Sequence, residues 1–392
     1  MQTVLSQFCE EFATAVRPLL APLKDFAEAL ADGAGGEGGS PALRSALPGF
    51  QDVAHQLRAL AEKVAEQQAY VLIFGPLKSG KSTLMNSLAG AYVSEVTALP
   101  AYPCMVYVSH SDQREFVVTR YNGETQAFSA PASMRMQVNR DHAELADRIR
   151  ASEDAGHDFD PALDLPEAIR RIDVKVPATD LAQSGAVLVD TPGLYTRMKF
   201  GYDRMTRDFR DSAACAIFVV KTDNLFLEQV FAEFQDLLQL FSRIFLVVNL
   251  DTTKMDLRPD GSLAPSLERE DPVRILEAFE TLAMSAPVKA ALDEGRLKLY
   301  PVDLLRAASR RLQRASGASG PGEDTDDFET FLGELTEYLN SSDYLVAFLG
   351  DSLRRARQLL GEARELCEHP GVRGIAAERQ QLAEERGGLD AR

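Results

Sequence analysis

The 392-residue sequence contains no tryptophan, and its four cysteines (Cys9, Cys104, Cys215 and Cys367) lie far apart. That dispersal argues against a disulfide scaffold or a cysteine-built zinc site and suits a reducing compartment. The five histidines (His55, His110, His142, His157 and His369) form no ligand-spaced cluster. Basic residues are scarce: 42 Lys and Arg stand against 59 Asp and Glu, a net charge of −17. A surface of that sign repels phosphate backbones and argues against nucleic acid as a partner, while leaving room for a small phosphate ligand held by local geometry. No apolar run approaches the ~20 residues that a membrane-spanning helix needs. The N-terminus also lacks the basic-then-apolar order of a secretory signal. The chain therefore reads as soluble and cytoplasmic.

What is present is ordinary globular material, 45% hydrophobic and 26% charged, of a length that suits two or three domains. Near the N-terminus Leu5, Phe8, Phe12, Val16, Leu19, Leu23, Phe26 and Leu30 recur at helical spacing, with interruptions expected at Pro18 and Pro22. A glycine-rich connector (33–41) separates this stretch from a second helical pattern, Phe50 to Val64. The rhythm then changes. Tyr70–Phe74, Met105–Val108, Phe116–Thr119, Ile172–Val176, Ala186–Val189, Ala216–Val220, Ile244–Val248 and Leu297–Val302 are short β-rich runs, several apolar throughout. Such runs suit strands buried on both faces, and the helical patterns between them predict an α/β fold with a mostly parallel sheet. After a polar loop, Phe328–Leu339 and Leu345–Ala363 return to helical spacing. The expected organisation is an N-terminal helical segment over 1–68, a central α/β domain over 69–308 and a C-terminal helical segment over 325–392. The last of these reads as cut short at Arg392.

Two motifs carry chemistry. Gly75-Pro76-Leu77-Lys78-Ser79-Gly80-Lys81-Ser82 fits G-x-x-x-x-G-K-[ST], follows the apolar strand Tyr70–Phe74 and opens a helical pattern from Ser82 to Leu88, with Thr83 in its first turn. Glycines there let backbone N–H groups wrap around phosphates, and the helix N-terminus adds partial positive charge. Lys81 is placed to reach the β and γ phosphates and Ser82 to coordinate Mg²⁺. Downstream, Val187-Leu188-Val189-Asp190-Thr191-Pro192-Gly193-Leu194 puts an acidic residue at the end of a second apolar strand, where a carboxylate holds Mg²⁺. Gly193 can present its N–H to the γ-phosphate and lets its loop move when that phosphate leaves.

Together these motifs, extended as G-K-S-T-L-M-N and D-T-P-G-L, resemble the GTPase domains of dynamin-like proteins and the related guanylate-binding proteins over roughly Tyr70 to Ala308. The resemblance implies a P-loop GTPase domain with flanking helical bundle or stalk segments. It also implies GTP hydrolysis with Mg²⁺, homodimerisation or higher homo-oligomerisation through the GTPase face, and peripheral membrane action, here at the inner membrane surface. By the same resemblance Thr97, in Val96-Thr97-Ala98-Leu99-Pro100, ligates Mg²⁺ in the triphosphate state and orients the attacking water. Guanine selection falls to the end of the strand Phe245–Val248, where the family has [NT]-K-x-D. Two registers remain open: Asp251 reads the base with Asn249 in the lysine's place, or one residue is deleted and Asn249 is the motif's own asparagine.

The phosphate loop departs from the family twice. Leu77 replaces a glutamine that helps to orient water in dynamins. Lys78 stands where guanylate-binding proteins carry an arginine finger, a cation worth ~10³–10⁵ in rate; the alternative is a solvated loop lysine. Two other functions stay open: a nucleotide-binding scaffold with little turnover, which Leu77 favours, and an ATPase, which the incomplete base motif favours.

Overall fold

In the computed structural model the described residues are 4–34, 41–66, 69–93, 104–154, 156, 159, 161–191, 215–228, 230, 234–235, 237–238, 241–282, 286–315, 317, 327–368 and 372–374. They divide into two compact units, one formed by residues 1–68 with 348–392 and the other by 69–347. Among the described residues no helix is long and apolar enough to cross a membrane.

The first unit is helical. Helix α1 (Val4–Ala34) packs along α2 (Pro41–Glu66). Proline was expected to interrupt the first of these, yet α1 runs unbroken through Pro18 and Pro22. Both prolines are exposed, so the carbonyls deprived of a donor face water, while Cys9, Phe12, Val16 and Ala27 stay buried on the opposite face. Phe26 stacks edge-on against Phe50 at 4.9 Å between centroids. The third helix of this unit enters at Phe348, and its Arg355 is bound to Gln56 of α2.

The second unit is α/β. Its strands are β1 (Ala69–Phe74), β2 (Met105–His110), β3 (Glu115–Arg120), β4 (Thr125–Phe128), β5 (Ile169–Val176), β6 (Ala186–Asp190), β7 (Cys215–Lys221), β8 (Arg243–Asn249), β9 (Met255–Leu257), β10 (Leu263–Pro265) and β11 (Leu297–Val302). Nine of them form one sheet in the order β11-β8-β7-β1-β6-β2-β5-β3-β4, and β9 and β10 form a separate hairpin. The run β11-β8-β7-β1-β6 is parallel throughout, as is β2 with β5; antiparallel pairing enters between β6 and β2 and at the β3–β4 rim. Burial explains the sequence pattern. Every residue of β1 and β6 is buried, whereas β3 alternates buried and half-buried positions, one face covered and one wet.

The helices of this unit are α3 (Lys81–Ala89), α4 (Pro131–Asp154), α5 (Pro161–Asp164), α6 (Thr179–Ser184), α7 (Leu267–Glu270), α8 (Pro272–Leu282), α9 (Ala286–Asp293), α10 (Leu304–Ala315) and α11 (Asp327–Leu339). The sequence grouped α11 with the C-terminal segment, but it packs on the edge of the sheet. Phe331 meets Tyr300 of β11 at 5.1 Å between centroids, and Glu334 accepts the Tyr300 hydroxyl at 2.7 Å. The boundary between units falls later, inside α12 (Ser342–Cys367). Because five neighbouring strands are parallel, their carboxyl ends (Phe74, Asp190, Lys221, Asn249 and Val302) all reach one edge of the sheet. Ligands of open α/β sheets bind at that edge.

Candidate functional site

The loop Gly75–Gly80 leaves the buried central strand β1 and enters α3. Its backbone needs glycine at two points: Gly75 has φ +144° and Gly80 φ +111°. No side chain caps α3, since its N-cap residue is Gly80, so the first N–H groups of the helix remain available to an anion. Lys78 is the one non-glycine residue with positive φ (+61°) among the described residues, and its side chain is exposed. Leu77 beside it is 48% exposed.

Lys81 is 9% exposed, and its Nζ donates to the carbonyl oxygens of Gly75 at 2.8 Å and Pro76 at 3.0 Å. Burial holds its pKa below the ordinary lysine range, and the neighbouring Asp190 carboxylate acts in the opposite direction. Asp190 ends β6, where it pairs in register with Ile73, one residue before the end of β1. It is 7% exposed and its Oδ1 has no hydrogen-bond partner. Burial raises its pKa to about 7, with Lys81 pulling it back. A buried carboxylate oxygen without a donor, beside a phosphate loop, fits a hard cation.

Without nucleotide or metal, that arrangement is expected to make stability fall with pH. Burial pushes the folded carboxyl up to about 7, against about 3.8 for a solvated aspartate, so the native state holds the extra proton between those values. On this group's account the protein is most stable below the lower value, loses stability steadily between the two, and has lost up to about 4 kcal/mol once pH passes the upper one. Asp190→Asn is expected to remove that slope. Urea unfolding of ligand-free wild type and variant at pH 5 and pH 8 checks it, and equal slopes in the two proteins would contradict it.

Beyond the phosphate loop, the strand ends enclose a cavity of about 870 Å³ lined by Lys78, Gly80 and Thr83 on one side and by Asn249 and Asp251 on another. Asn249 ties the walls together: its Nδ2 donates to Ser79 O at 2.9 Å and its Oδ1 accepts Leu304 N–H at 3.3 Å. Asp251 is exposed, and its Oδ1 accepts the Thr253 hydroxyl at 2.6 Å and the Thr253 N–H at 3.0 Å. Those two bonds hold its carboxyl below the usual range. The structure thus brings together Gly75, Lys78, Ser79, Gly80, Lys81, Ser82, Thr83, Asp190, Asn249 and Asp251 at the carboxyl edge of the sheet. Thr97 and Gly193 lie outside the described residues.

The same cavity is lined by residues that motif reading missed, among them Lys221, Lys254, Glu268 and Arg306. Lys221 was findable as the last residue of an apolar strand parallel to the phosphate-loop strand. Nothing local in the sequence marks Glu268.

Residues 71–251, from within β1 to just past β8, match the model of the Dynamin family. Over that span the central domain is similar to the Dynamin family. A protein of Caldicellulosiruptor sp. (strain Rt8B.4), described as uncharacterised and encoded in the xynA 3′ region, is 24% identical over 194 residues, 49% of this chain and 42% of that one. Among solved structures, a member of an oligomerised bacterial dynamin pair, described as providing a mechanism for long-range sensing and tethering of membranes, is similar at 14% identity. Its TM-score is 0.46, with 97% of this chain and 50% of that one covered. The LeoA bacterial dynamin GTPase from ETEC is similar at 14% identity and TM-score 0.25, covering 92% and 49%. The chain therefore spans about half the length of these relatives.

Proposed function

We propose that the dynamin-like domain binds GTP with Mg²⁺ and hydrolyses it to GDP and phosphate. The observation that carries this reading is the closeness of buried Lys81 to buried Asp190, whose Oδ1 has no hydrogen-bond partner, beside a phosphate loop without a side-chain helix cap. Gly75 to Thr83 would bind the phosphates through backbone N–H groups and Lys81. Ser82 and Asp190, with Thr97, would hold Mg²⁺, whose charge offsets that of the β and γ phosphates. Water is the nucleophile, and the protein contributes position and charge. Thr97 and Gly193 would orient that water and sense the γ-phosphate.

On the base side, the bonds from Asn249 to Ser79 and Leu304 favour the register in which Asn249 is the motif's own asparagine and Asp251 the base reader. Guanine offers N1–H and N2–H₂ to a carboxylate; adenine has no donor at N1. Steady-state turnover of GTP and ATP at matched concentrations, with and without Mg²⁺, tests the proposal. Faster turnover of ATP, or metal-independent turnover, overturns it. On the family match alone we extend the reading to nucleotide-dependent homo-oligomerisation and membrane remodelling, in a cytoplasmic protein acting peripherally at the inner membrane surface.

Lys78 is assigned the role of an internal cationic finger. An exposed lysine held at φ +61° is strained relative to glycine by about 1 kcal/mol. Lys78→Gly is therefore expected to stabilise the fold by about that amount while lowering turnover at least ~10³-fold at unchanged nucleotide affinity. Unchanged turnover would remove the finger role. The half-exposed Leu77, which cannot orient water, favours a second reading, an occupancy-regulated scaffold with little hydrolysis. Turnover measured at high protein concentration separates the two.

A further inference from the structure

The loop that carries Asp251 ends in a detour. Directly after Lys254 the chain leaves on strand β9, turns, and returns on β10, with Met255 opposite Pro265 and Leu257 opposite Leu263. The hairpin closes where it opened: Ser266 N–H donates to Lys254 O at 3.0 Å. Two residues later the chain delivers Glu268 to the base side of the cavity.

Glu268 is 5% exposed, an uncommon position for a carboxylate without a partner, and both of its oxygens are engaged. Oε2 accepts the backbone N–H of Asp251 at 2.7 Å, and Oε1 accepts Lys254 Nζ at 3.1 Å. Lys254 Nζ also donates to Asp223 Oδ1 at 2.8 Å, just beyond β7. Lys254 N–H in turn donates to Asp251 O at 3.1 Å. One buried side chain thus holds the Asp251 segment at both ends and, through Lys254, ties it to the neighbouring strand end. The turn bonds to Thr253 occupy Oδ1 of Asp251 and leave Oδ2 out of that turn.

We infer that Glu268 is a positioning residue for base selection: it fixes the Asp251 loop so that the carboxylate meets the base edge in one geometry. This rests on the reading of Asp251 as the base-contacting residue. It gives the β9–β10 hairpin a purpose, as the arm that returns a buried acceptor to the site. It also gives Lys254 a role: the residue after Asn249 is Leu250, and Lys254 supplies the cation on this loop.

The test is discrimination between GTP and ITP, because hypoxanthine lacks the 2-amino group and so forfeits one bond to Asp251. One charge-assisted hydrogen bond predicts that wild type prefers GTP by about tenfold or more. Glu268→Ala is expected to reduce the preference to within about threefold, the scatter of a poorly held carboxylate. Glu268→Gln keeps an oxygen for the Asp251 N–H and is expected to retain an intermediate ratio, as is Lys254→Met, which leaves that bond intact. Competition against a fluorescent guanine nucleotide gives the ratio from folded protein alone, so lost stability by itself does not change it. A wild-type ratio in Glu268→Ala overturns the inference. If Glu268→Ala does not fold, wild-type ratios in both Glu268→Gln and Lys254→Met overturn it. Failure of the underlying reading looks different: Asp251→Ala would then bind GTP and ITP with the wild-type ratio.

Discussion

Lys81→Met is expected to lower kcat/KM for GTP by about 10²–10³, the effect of removing one preorganised charge from a water-poor site, while leaving the fold intact. The two halves of that expectation have separate causes. In the ligand-free protein the Lys81 ammonium is buried and bonded to two loop carbonyls, Gly75 O and Pro76 O. Methionine leaves both carbonyls without that donor but also removes a desolvated charge, and these terms nearly cancel to within about 1 kcal/mol. With a triphosphate bound there is no such cancellation, because phosphate charge then faces an apolar thioether. Steady-state kinetics together with urea unfolding measure both halves. Wild-type turnover by the variant would mean that Lys81 does not contact the reacting phosphates.

Much of this was legible because burial writes itself into sequence. β1, β6, β7 and β8 are apolar nearly end to end since they sit between layers, and each was visible as an uninterrupted run. The phosphate loop was visible because its backbone tolerates so few residues: Gly75 and Gly80 stand where a side chain would collide with β7 or Asn249. What stayed hidden has equally physical causes. β4 and β9 are short and largely exposed, and β10 buries only Ala264, so no burial pattern marks them. Pro18 and Pro22 predicted a break, yet both lie on the wet face of α1, where a lost backbone donor is replaced by water. α11 carries the same apolar spacing as the helices of the other unit, and spacing does not say which partner a face will meet. Glu268 reaches the site only because a hairpin folds back on itself. The register at Asn249 was open in sequence, and the feature behind the register proposed above is a pair of hydrogen bonds with Ser79 and Leu304, residues distant along the chain.

Gly75→Ala is expected to be among the most damaging small substitutions in the chain, and for a reason separate from catalysis. A Cβ at Gly75 would lie 2.1 Å from the carbonyl oxygen of Val219 and 2.9 Å from Ser79 Oγ, at a φ of +144° that L side chains rarely adopt. Val219 belongs to β7, which is hydrogen-bonded on one side to β1 and on the other to β8. Its carbonyl cannot withdraw without bending the middle of the sheet. The combined steric and backbone penalty is expected to reach about 3 kcal/mol or more. Gly80→Ala provides the contrast. There the added carbon meets the side-chain Nδ2 of Asn249 at 2.5 Å and Leu304 Cδ1 at 3.2 Å, groups that can rotate. The fold should therefore lose less, whereas the bond from Asn249 to Ser79 O breaks and the phosphate and base sides of the cavity come apart. Gly75→Ala is expected to shift the urea midpoint further than Gly80→Ala, and Gly80→Ala to lose most of its nucleotide affinity at temperatures where it remains folded. The reverse order of midpoints would show that the strand can yield where the side chains cannot, and that crowding at β7 does not dictate the glycine.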